Sequence, residues 1–214
     1  MIQMNALCYR QTGPARQVLN LESLPRPAPA KGEVLVQIAV SGANPSDAKA
    51  RSGLRGGPGY DLVIPHSDGA GRITAVGDGV DPARIGQRVW LWNAAYGRAL
   101  GTAAEFVALP QEQAVPLPDA ASFAAGACLG IPALTAHRCL FADGPIAGQD
   151  ILITGGAGAV GAYGVQMAKL AGARRVVAST SGGVKSDHAW AMGADSVVNY
   201  RNGDTARAIL DATD

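Results

Sequence analysis

The chain has 214 residues, of which 48% are hydrophobic and 16% charged, a composition typical of a globular protein with enough apolar material for two domains. The 18 Lys and Arg residues against 17 Asp and Glu residues leave a formal net charge of +1. This balance argues against broad electrostatic attraction to nucleic acid or to an anionic membrane surface.

The first 120 residues contain short strand-like runs separated by Gly and Pro. The clearest of these runs are 34–40, 72–76, 88–92 and 104–108. Their spacing predicts a compact antiparallel or barrel-like domain, which we place at residues 1–122.

The sequence changes character at residue 123, where it becomes Ala-rich. The stretch 122–141 is interrupted by Pro, His and Arg, so it is interpreted as core helix rather than as a membrane span. Strand and helix patterns then alternate, with predicted strands at 151–154, 176–180 and 196–198 and helices at 160–171 and 184–192. This alternation predicts a parallel βαβαβ domain over residues 123–214.

Cys8, Cys128 and Cys139 are too few and too scattered for a disulfide framework, and no pair has metal-ligand spacing. This pattern favours a reducing compartment. We therefore expect a cytoplasmic protein.

A glycine-rich turn joins the first predicted strand and helix of the second domain. It consists of Gly156, Ala157, Gly158, Ala159, Val160 and Gly161. We expect Gly156 to permit the tight turn, Gly158 to let a pyrophosphate approach the backbone and Gly161 to let the helix pack closely on the sheet. The helix N-terminus offers N–H donors to phosphate. Such a motif can also be a plain connection, but the strand before it and the helix after it favour a dinucleotide site.

The end of the second predicted strand indicates which dinucleotide is bound. NAD-binding proteins have an Asp or Glu there for the ribose hydroxyls, whereas residues 178–183 contain no acid and the next one is Asp187. A hydroxyl-rich and glycine-rich turn followed by Lys185 suits a 2′-phosphate. NADPH is therefore predicted over NADH, although Lys185 could also be an ordinary surface lysine.

Motifs in both halves of the chain match one family. They are 42–47 (GANPSD), 64–71 (IPHSDGAG), 86–90 (GQRVW), 104–107 (AEFV), 134–136 (LTA), 155–161 (GGAGAVG), 192–195 (MGAD) and 198–200 (VNY). On these residues the chain resembles the quinone oxidoreductase, or zeta-crystallin-like, branch of the medium-chain dehydrogenase/reductases. The resemblance implies an α/β protein with a GroES-like β-barrel-type N-terminal domain, a Rossmann domain, a cofactor in the cleft between them and usually a homodimer.

The resemblance also separates this chain from the zinc alcohol dehydrogenases of the same superfamily. Those enzymes have Cys where Asn44 stands and His where Ser67 stands, so no metal is predicted. His66 is adjacent, but a single His without partner ligands is more often structural. Without a metal Lewis acid, the chemistry should suit an activated acceptor such as a quinone or an enone.

The resemblance also implies site residues. Asn44 would line the nicotinamide and substrate cleft, and Thr135 would lie near the nicotinamide ribose. Ser181 and Lys185 are assigned to the 2′-phosphate, and Tyr200 to the adenosine-phosphate end. A purely structural role is the alternative for each residue. Asn44 could shape a turn, and Thr135 could cap its helix or hydrogen-bond to the backbone within it. Tyr200 could pack at the end of a strand.

Two departures from the family leave the function open. Lys49 stands where many quinone reductases have an aromatic residue, and we hypothesise that it donates the proton or orients the acceptor. The chain also ends at Asp214, whereas family members continue through three further Rossmann strands, so a partial Rossmann domain is expected.

The favoured function is zinc-free NADPH-dependent reduction of a quinone. The alternatives are an enoyl or alkenal reductase, and a non-catalytic NADPH-binding or interaction module, for which the neutral charge argues against RNA as a partner.

Overall fold

In the computed structural model, which describes residues 2–54 and 56–213, the chain divides into two compact units. These are Met1–Ile131 and Pro132–Asp214. The first unit therefore includes the beginning of the Ala-rich region, so the change in sequence character at residue 123 precedes the change in packing.

Antiparallel strands dominate the first unit. They are β1 (Gln3–Cys8), β2 (Asn20–Pro25), β3 (Glu33–Gly42), β4 (Asp68–Val76), β5 (Arg88–Leu91), β6 (Phe106–Pro110) and β7 (Ala114–Pro116). The main sheet has the order β6-β3-β4-β5-β7, and β1 pairs with β2 separately. The four predicted runs correspond to β3, β4, β5 and β6. Strands β1, β2 and β7 are not among the predicted runs. Strand β1 does alternate between exposed and buried residues, whereas β2 has no buried residue and β7 has only three residues.

The core of the first unit lies on one face of the main sheet. Alternate residues of neighbouring strands point to this face and are fully buried, because side chains along a strand alternate between its two faces. The buried set includes Val34, Val36, Ile73, Val89, Leu91, Val107 and Leu109. This packing holds the central strands β3 and β4 in a fixed register.

Three short helices complete the first unit, namely α1 (Ala15–Val18), α2 (Pro45–Arg51) and α3 (Phe123–Gly126). Helix α2 begins immediately after Asn44 with Pro45 at its first position, where a proline loses no helical hydrogen bond. The Asp47 carboxylate accepts the Asn44 N–H at 2.7 Å and so satisfies one donor at this helix start.

The second unit has the parallel βαβαβ architecture that the sequence predicts. Its elements are α4 (Leu134–Phe141), β8 (Asp150–Ile153), α5 (Ala159–Leu170), β9 (Arg175–Thr180), α6 (Val184–Ala191), β10 (Ser196–Asn199) and α7 (Thr205–Asp211). The strands run parallel in the order β10-β9-β8. Strand β9 lies in the centre, and its residues Val176, Val177 and Ala178 are completely buried, as a central parallel strand requires.

In the part of the chain that the structure describes, no helix combines the length and hydrophobicity needed to cross a membrane. The cysteines are free thiols, with Cys8 buried and Cys128 and Cys139 exposed.

Candidate functional site

The glycine-rich turn connects β8 to α5, and at three positions in and beside it a side chain would be sterically unfavourable. Gly155 adopts a left-handed conformation with φ +65°. A Cβ on Gly156 would lie 2.7 Å from the Ala178 Cβ on the neighbouring strand, and a Cβ on Gly161 would lie 2.2 Å from the Gly155 carbonyl oxygen. The left-handed residue of the tight turn is therefore Gly155, while Gly156 and Gly161 permit close packing.

The same turn presents unused backbone donors at the start of α5, a helix of 12 residues. Within the described residues, the N–H groups of Ala157, Ala159, Val160 and Gly161 make no backbone hydrogen bond to a residue outside the helix. Helix N-termini leave these donors for an external acceptor and carry a partial positive charge. The donors and the absence of Cβ atoms fit a dinucleotide pyrophosphate at this turn.

The turn adjoins the carboxyl end of β9, because the Gly156 N–H donates to the Ser179 carbonyl at 3.0 Å. Ser181 follows that strand end, and Lys185 lies exposed in the first turn of α6. For the residues described, neither side chain makes a hydrogen bond or an ion pair within the protein. Both predicted phosphate ligands are therefore free to meet a ligand beside the glycine turn.

Two further predicted cofactor residues are exposed in the second unit. Tyr200 follows β10, and its N–H donates to the Thr180 carbonyl at 3.0 Å, so it lies next to the end of β9. Thr135 lies in the first turn of α4 with an exposed side chain. By contrast, Arg174 is held at the opposite end of β9 by an ion pair with Asp150.

In the first unit, the Asn44 side chain is fixed by a buried carboxylate. Strands β3 and β4 pair so that Gly42 lies opposite Asp68, which brings Asn44 next to that carboxylate. The Asn44 Nδ2 donates to Asp68 Oδ2 at 2.8 Å, and the Ile131 N–H donates to the same oxygen at 2.8 Å. Because Oδ2 accepts both hydrogen bonds, the NH₂ group of the Asn44 side chain faces Asp68.

Asp68 is itself only 1% exposed, and glycines make room for it. A Cβ on Gly130 would lie 2.1 Å from Asp68 Oδ1, and this oxygen has no hydrogen-bond partner among the described residues. Burial raises the pKa of the Asp68 carboxyl, and its hydrogen bonds with Ile131 and Asn44 only partly oppose that effect.

A cavity of about 420 Å³ opens near α2 in the first unit, which is within the roughly 300–1,000 Å³ of small-molecule sites. Its lining includes Tyr9, Tyr60, Tyr96, Asp47, His66 and Asn93. Lys49 lies in α2 with an exposed side chain, and neither Lys49 nor Asn44 lines this cavity. The two predicted catalytic residues are therefore neighbours of the lining residues Ser46, Asp47 and Ala50 rather than part of the lining themselves.

His66 occupies a conformation that non-glycine residues rarely adopt, with φ 77°. Such a backbone costs about 1–3 kcal/mol. Its Nδ1 lies 2.9 Å from Ser41 Oγ, and Ser41 Oγ lies 2.9 Å from Thr102 Oγ1. Burial lowers the pKa of His66, against an opposing effect of Asp47.

Sequence reasoning did not assign a functional role to Asp68, Ser41 or Thr102. Asp68 was visible only as part of the motif at 64–71, and the glycines that follow it were the available sign of a crowded site. Ser41 and Thr102 had no local signal, because they meet only through folding.

Asn44 and Ser67, which the resemblance places at the zinc-ligand positions of zinc alcohol dehydrogenases, carry amide and hydroxyl groups, which are poor zinc ligands. Within residues 2–54 and 56–213, no group of three or more His, Cys, Asp or Glu side chains is arranged to hold a metal ion.

Comparisons with known proteins agree with this two-part construction. Residues 30–119 match the alcohol dehydrogenase GroES-like domain, and residues 159–214 match the family described as zinc-binding dehydrogenase. The rat quinone oxidoreductase is 37% identical over 158 residues, which are 73% of this chain and 47% of the rat protein.

Solved structures give the same result. A quinone oxidoreductase from Pseudomonas syringae pv. Tomato DC3000 superposes with a TM-score of 0.86 and 31% identity, over 98% of this chain and 63% of that one. A mycobacterial protein solved in complex with NADPH has a TM-score of 0.81 and 29% identity, over 98% of this chain and 63% of that one. The chain thus spans about half to three fifths of the length of these relatives.

We predict that Gly161→Ala weakens dinucleotide binding by at least about tenfold, which corresponds to roughly 1.4 kcal/mol. The added methyl group would collide with the Gly155 carbonyl and displace the turn that presents the N–H donors. Titration of NADPH and NADH followed by fluorescence measures the effect.

Gly164→Ala is the matched control in the same helix. Its Cβ would meet only Ile153 side-chain atoms at 3.5 Å, so binding should be unchanged and the helix stabilised by about 0.5–1 kcal/mol. Equal dinucleotide affinity in the two variants would contradict the steric role of Gly161.

We also predict a pH effect from Asp68. Since folding raises the pKa of its carboxyl, the folded state binds the proton more tightly than the unfolded state does. Its contribution to stability is therefore fully present below the ordinary aspartate pKa of about 4 and is lost as pH rises through the raised value. Asp68→Asn, which does not titrate, should show no such loss.

Urea unfolding across a pH series measures this difference in the free energy of unfolding. The exposed Asp61→Asn serves as the control and should follow the wild-type profile. Parallel profiles for wild type and Asp68→Asn would show that Asp68 does not have the raised pKa.

Proposed function

The chain belongs to the quinone oxidoreductase branch of the medium-chain dehydrogenase/reductase superfamily, and on that premise we propose that it acts in NADPH-dependent reduction of a quinone or a related conjugated carbonyl without zinc. The observation that carries the proposal is the set of unused N–H donors at the glycine turn before α5. The tyrosine-lined cavity in the first unit supplies a place for the acceptor.

The cofactor assignment rests on the residues at the end of β9. Ser181 and Lys185 are available there, and the first acid, Asp187, comes after Lys185 in the sequence. A lysine and a hydroxyl stabilise a 2′-phosphate, whereas an acid at this strand end would repel it. The NADPH bound to the mycobacterial structural neighbour supports the same preference.

The substrate assignment rests on the donor atoms of the first unit. Asn44 and Ser67 offer amide and hydroxyl groups where zinc enzymes offer thiolate and imidazole, so the acceptor must be reactive without a Lewis acid. A quinone meets this requirement, because the charge that it gains is delocalised and needs only hydrogen bonds and a proton. The aromatic rings of Tyr60 and Tyr96 suit a planar ligand.

In the proposed mechanism, bound NADPH supplies a hydride from its nicotinamide ring. Asp68 holds the Asn44 amide in one orientation, so that Asn44 contributes a fixed polar group near the reacting atoms. The N–H groups of the turn would hold the pyrophosphate, and Thr135 would lie near the nicotinamide ribose, as the resemblance implies. Lys49, which is exposed on α2, is proposed to deliver a proton or to orient the acceptor.

The direct test mixes the chain with NADPH or NADH, measures binding, and then follows NADPH oxidation with 1,4-benzoquinone and with an enone such as 2-cyclohexenone. We expect binding of NADPH and faster oxidation with the quinone. Failure to bind either cofactor would refute the oxidoreductase assignment. Binding without oxidation would favour a non-catalytic cofactor-binding module, and faster turnover of the enone would favour an enoyl reductase.

Cofactor preference gives a separate prediction. Lys185→Ala should weaken NADPH binding by about tenfold, the value of roughly one charge-assisted hydrogen bond, and leave NADH binding unchanged. Lys31→Ala removes an exposed lysine from the first unit and should change neither affinity. Equal losses for NADPH and NADH would exclude a 2′-phosphate contact by Lys185.

A further inference from the structure

Three side chains distant in sequence form one hydrogen-bond chain in the first unit. Thr102 Oγ1 lies 2.5 Å from the Asp68 carbonyl oxygen, which can only accept a hydrogen bond, so the Thr102 hydroxyl donates to it. Ser41 must then donate its own proton to Thr102 Oγ1, 2.9 Å away. The Ser41 oxygen is left to accept from His66 Nδ1 at 2.9 Å.

This series of hydrogen bonds fixes the tautomer of His66. Because the Asp68 carbonyl sets the direction of every hydrogen bond, Nδ1 carries a proton whether the ring is neutral or charged. Burial disfavours the charged ring and lowers the pKa of His66. The neutral ring therefore has an unprotonated Nε2, which can accept a hydrogen bond but cannot donate one.

His66 belongs to the wall of the tyrosine-lined cavity, whereas Ser41 and Thr102 do not. Nε2 has no hydrogen-bond partner among the residues that the structure describes. His66, a residue of the cavity wall, thus carries an acceptor atom whose protonation state is fixed through Ser41 and Thr102 and with which no described residue pairs.

Backbone strain points to the same cavity. For the described residues, His66 and Asn93 are the non-glycine positions with left-handed φ angles, of 77° and 52°, and both line this cavity. Glycine would relieve the strain at position 66 without a steric penalty. Strained residues persist where the surrounding structure holds them for a purpose, often at a ligand site.

We propose that His66 is a ligand-binding residue whose Nε2 accepts a hydrogen bond from the hydroxyl group of a phenol or hydroquinone ring held between the cavity tyrosines. The inference rests on the proposed function for the identity of the ligand, since a hydroquinone is the product of quinone reduction. It adds a specificity residue, because a ring with a hydroxyl donor satisfies Nε2 and its methyl ether does not.

The test measures binding without cofactor or turnover, using 2-naphthol and its matched ether, 2-methoxynaphthalene. Wild-type protein should bind 2-naphthol about tenfold more tightly than the ether, the effect of roughly one hydrogen bond. His66→Gly should lose that preference, while its melting temperature stays equal or rises because glycine suits the left-handed backbone. His188→Gln, which changes an exposed side chain on α6, should keep the preference for 2-naphthol.

Nitrogen-15 NMR of the imidazole rings reports the tautomer directly. The chain has three histidines, so the His66 signals are identified by their loss in His66→Gly. We expect a protonated Nδ1 and an unprotonated Nε2 in wild type, with the Nε2 signal moving when 2-naphthol binds. Ser41→Ala should shift the His66 ring toward the other tautomer. It should weaken the binding of 2-naphthol but not the binding of 2-methoxynaphthalene.

A protonated Nε2 in the wild-type spectrum would overturn the inference, as would equal affinities for 2-naphthol and its ether. Absence of binding by both compounds would overturn it as well. Binding of 2-naphthol through His66 in a protein that never oxidises NADPH would refute the proposed catalysis and leave this ligand-binding role intact.

Discussion

The buried carboxylate of Asp68 is the interaction on which the arrangement of the first unit depends. A carboxyl group that is 1% exposed is costly unless it accepts hydrogen bonds. Asn44 and Ile131 both donate to Oδ2, whereas Oδ1 has no partner among the described residues. Gly42 and Gly130 leave the space that this packing needs, since a Cβ on either would collide with a neighbouring atom. The side chain that the resemblance places nearest the chemistry is thus oriented by a residue outside the cavity.

The backbone of the same aspartate controls a second group. Its carbonyl accepts the Thr102 hydroxyl and so determines the proton positions along Ser41 and His66. One residue at the start of β4 therefore orients both the Asn44 amide and the His66 imidazole. This coupling explains why polar groups in the unit can have single, fixed orientations although two of them, Asn44 and His66, are partly exposed.

The two candidate sites are built by different physical means. At the start of α5, the donors that fit a phosphate are backbone N–H groups, and glycines keep Cβ atoms away, so a short segment suffices. In the first unit, the cavity is built from side chains of several segments, among them Tyr9, His66 and Asn93. The candidate site at α5 therefore depends on one local segment, whereas the cavity depends on the packing of several segments.

The sequence by itself determined the features that depend on local pattern. The turn at Gly156 and Gly161 and the missing acid after β9 are contained in one βαβ unit, and the alternation of strand and helix in the second unit is a succession of such local patterns. Even there, the left-handed residue proved to be Gly155, because only the path of the chain between β8 and β9 decides which glycine must turn. Strands β1, β2 and β7 were missed. For the weakly amphipathic β2 and the short β7, the pairing partners rather than their own residues make them strands.

Only the tertiary structure decided the polar network of the first unit. Asn44 meets Asp68 across 24 residues, and Ser41 meets His66 across 25 and Thr102 across 61. These contacts depend on the pairing of β3 and β4 with Gly42 opposite Asp68, and a shift of the register by one residue would take Ser41 and Asp68, which lie in these strands, out of the alignment that brings their partners together. Register is set by the packing of the whole sheet, which no local pattern of residues records.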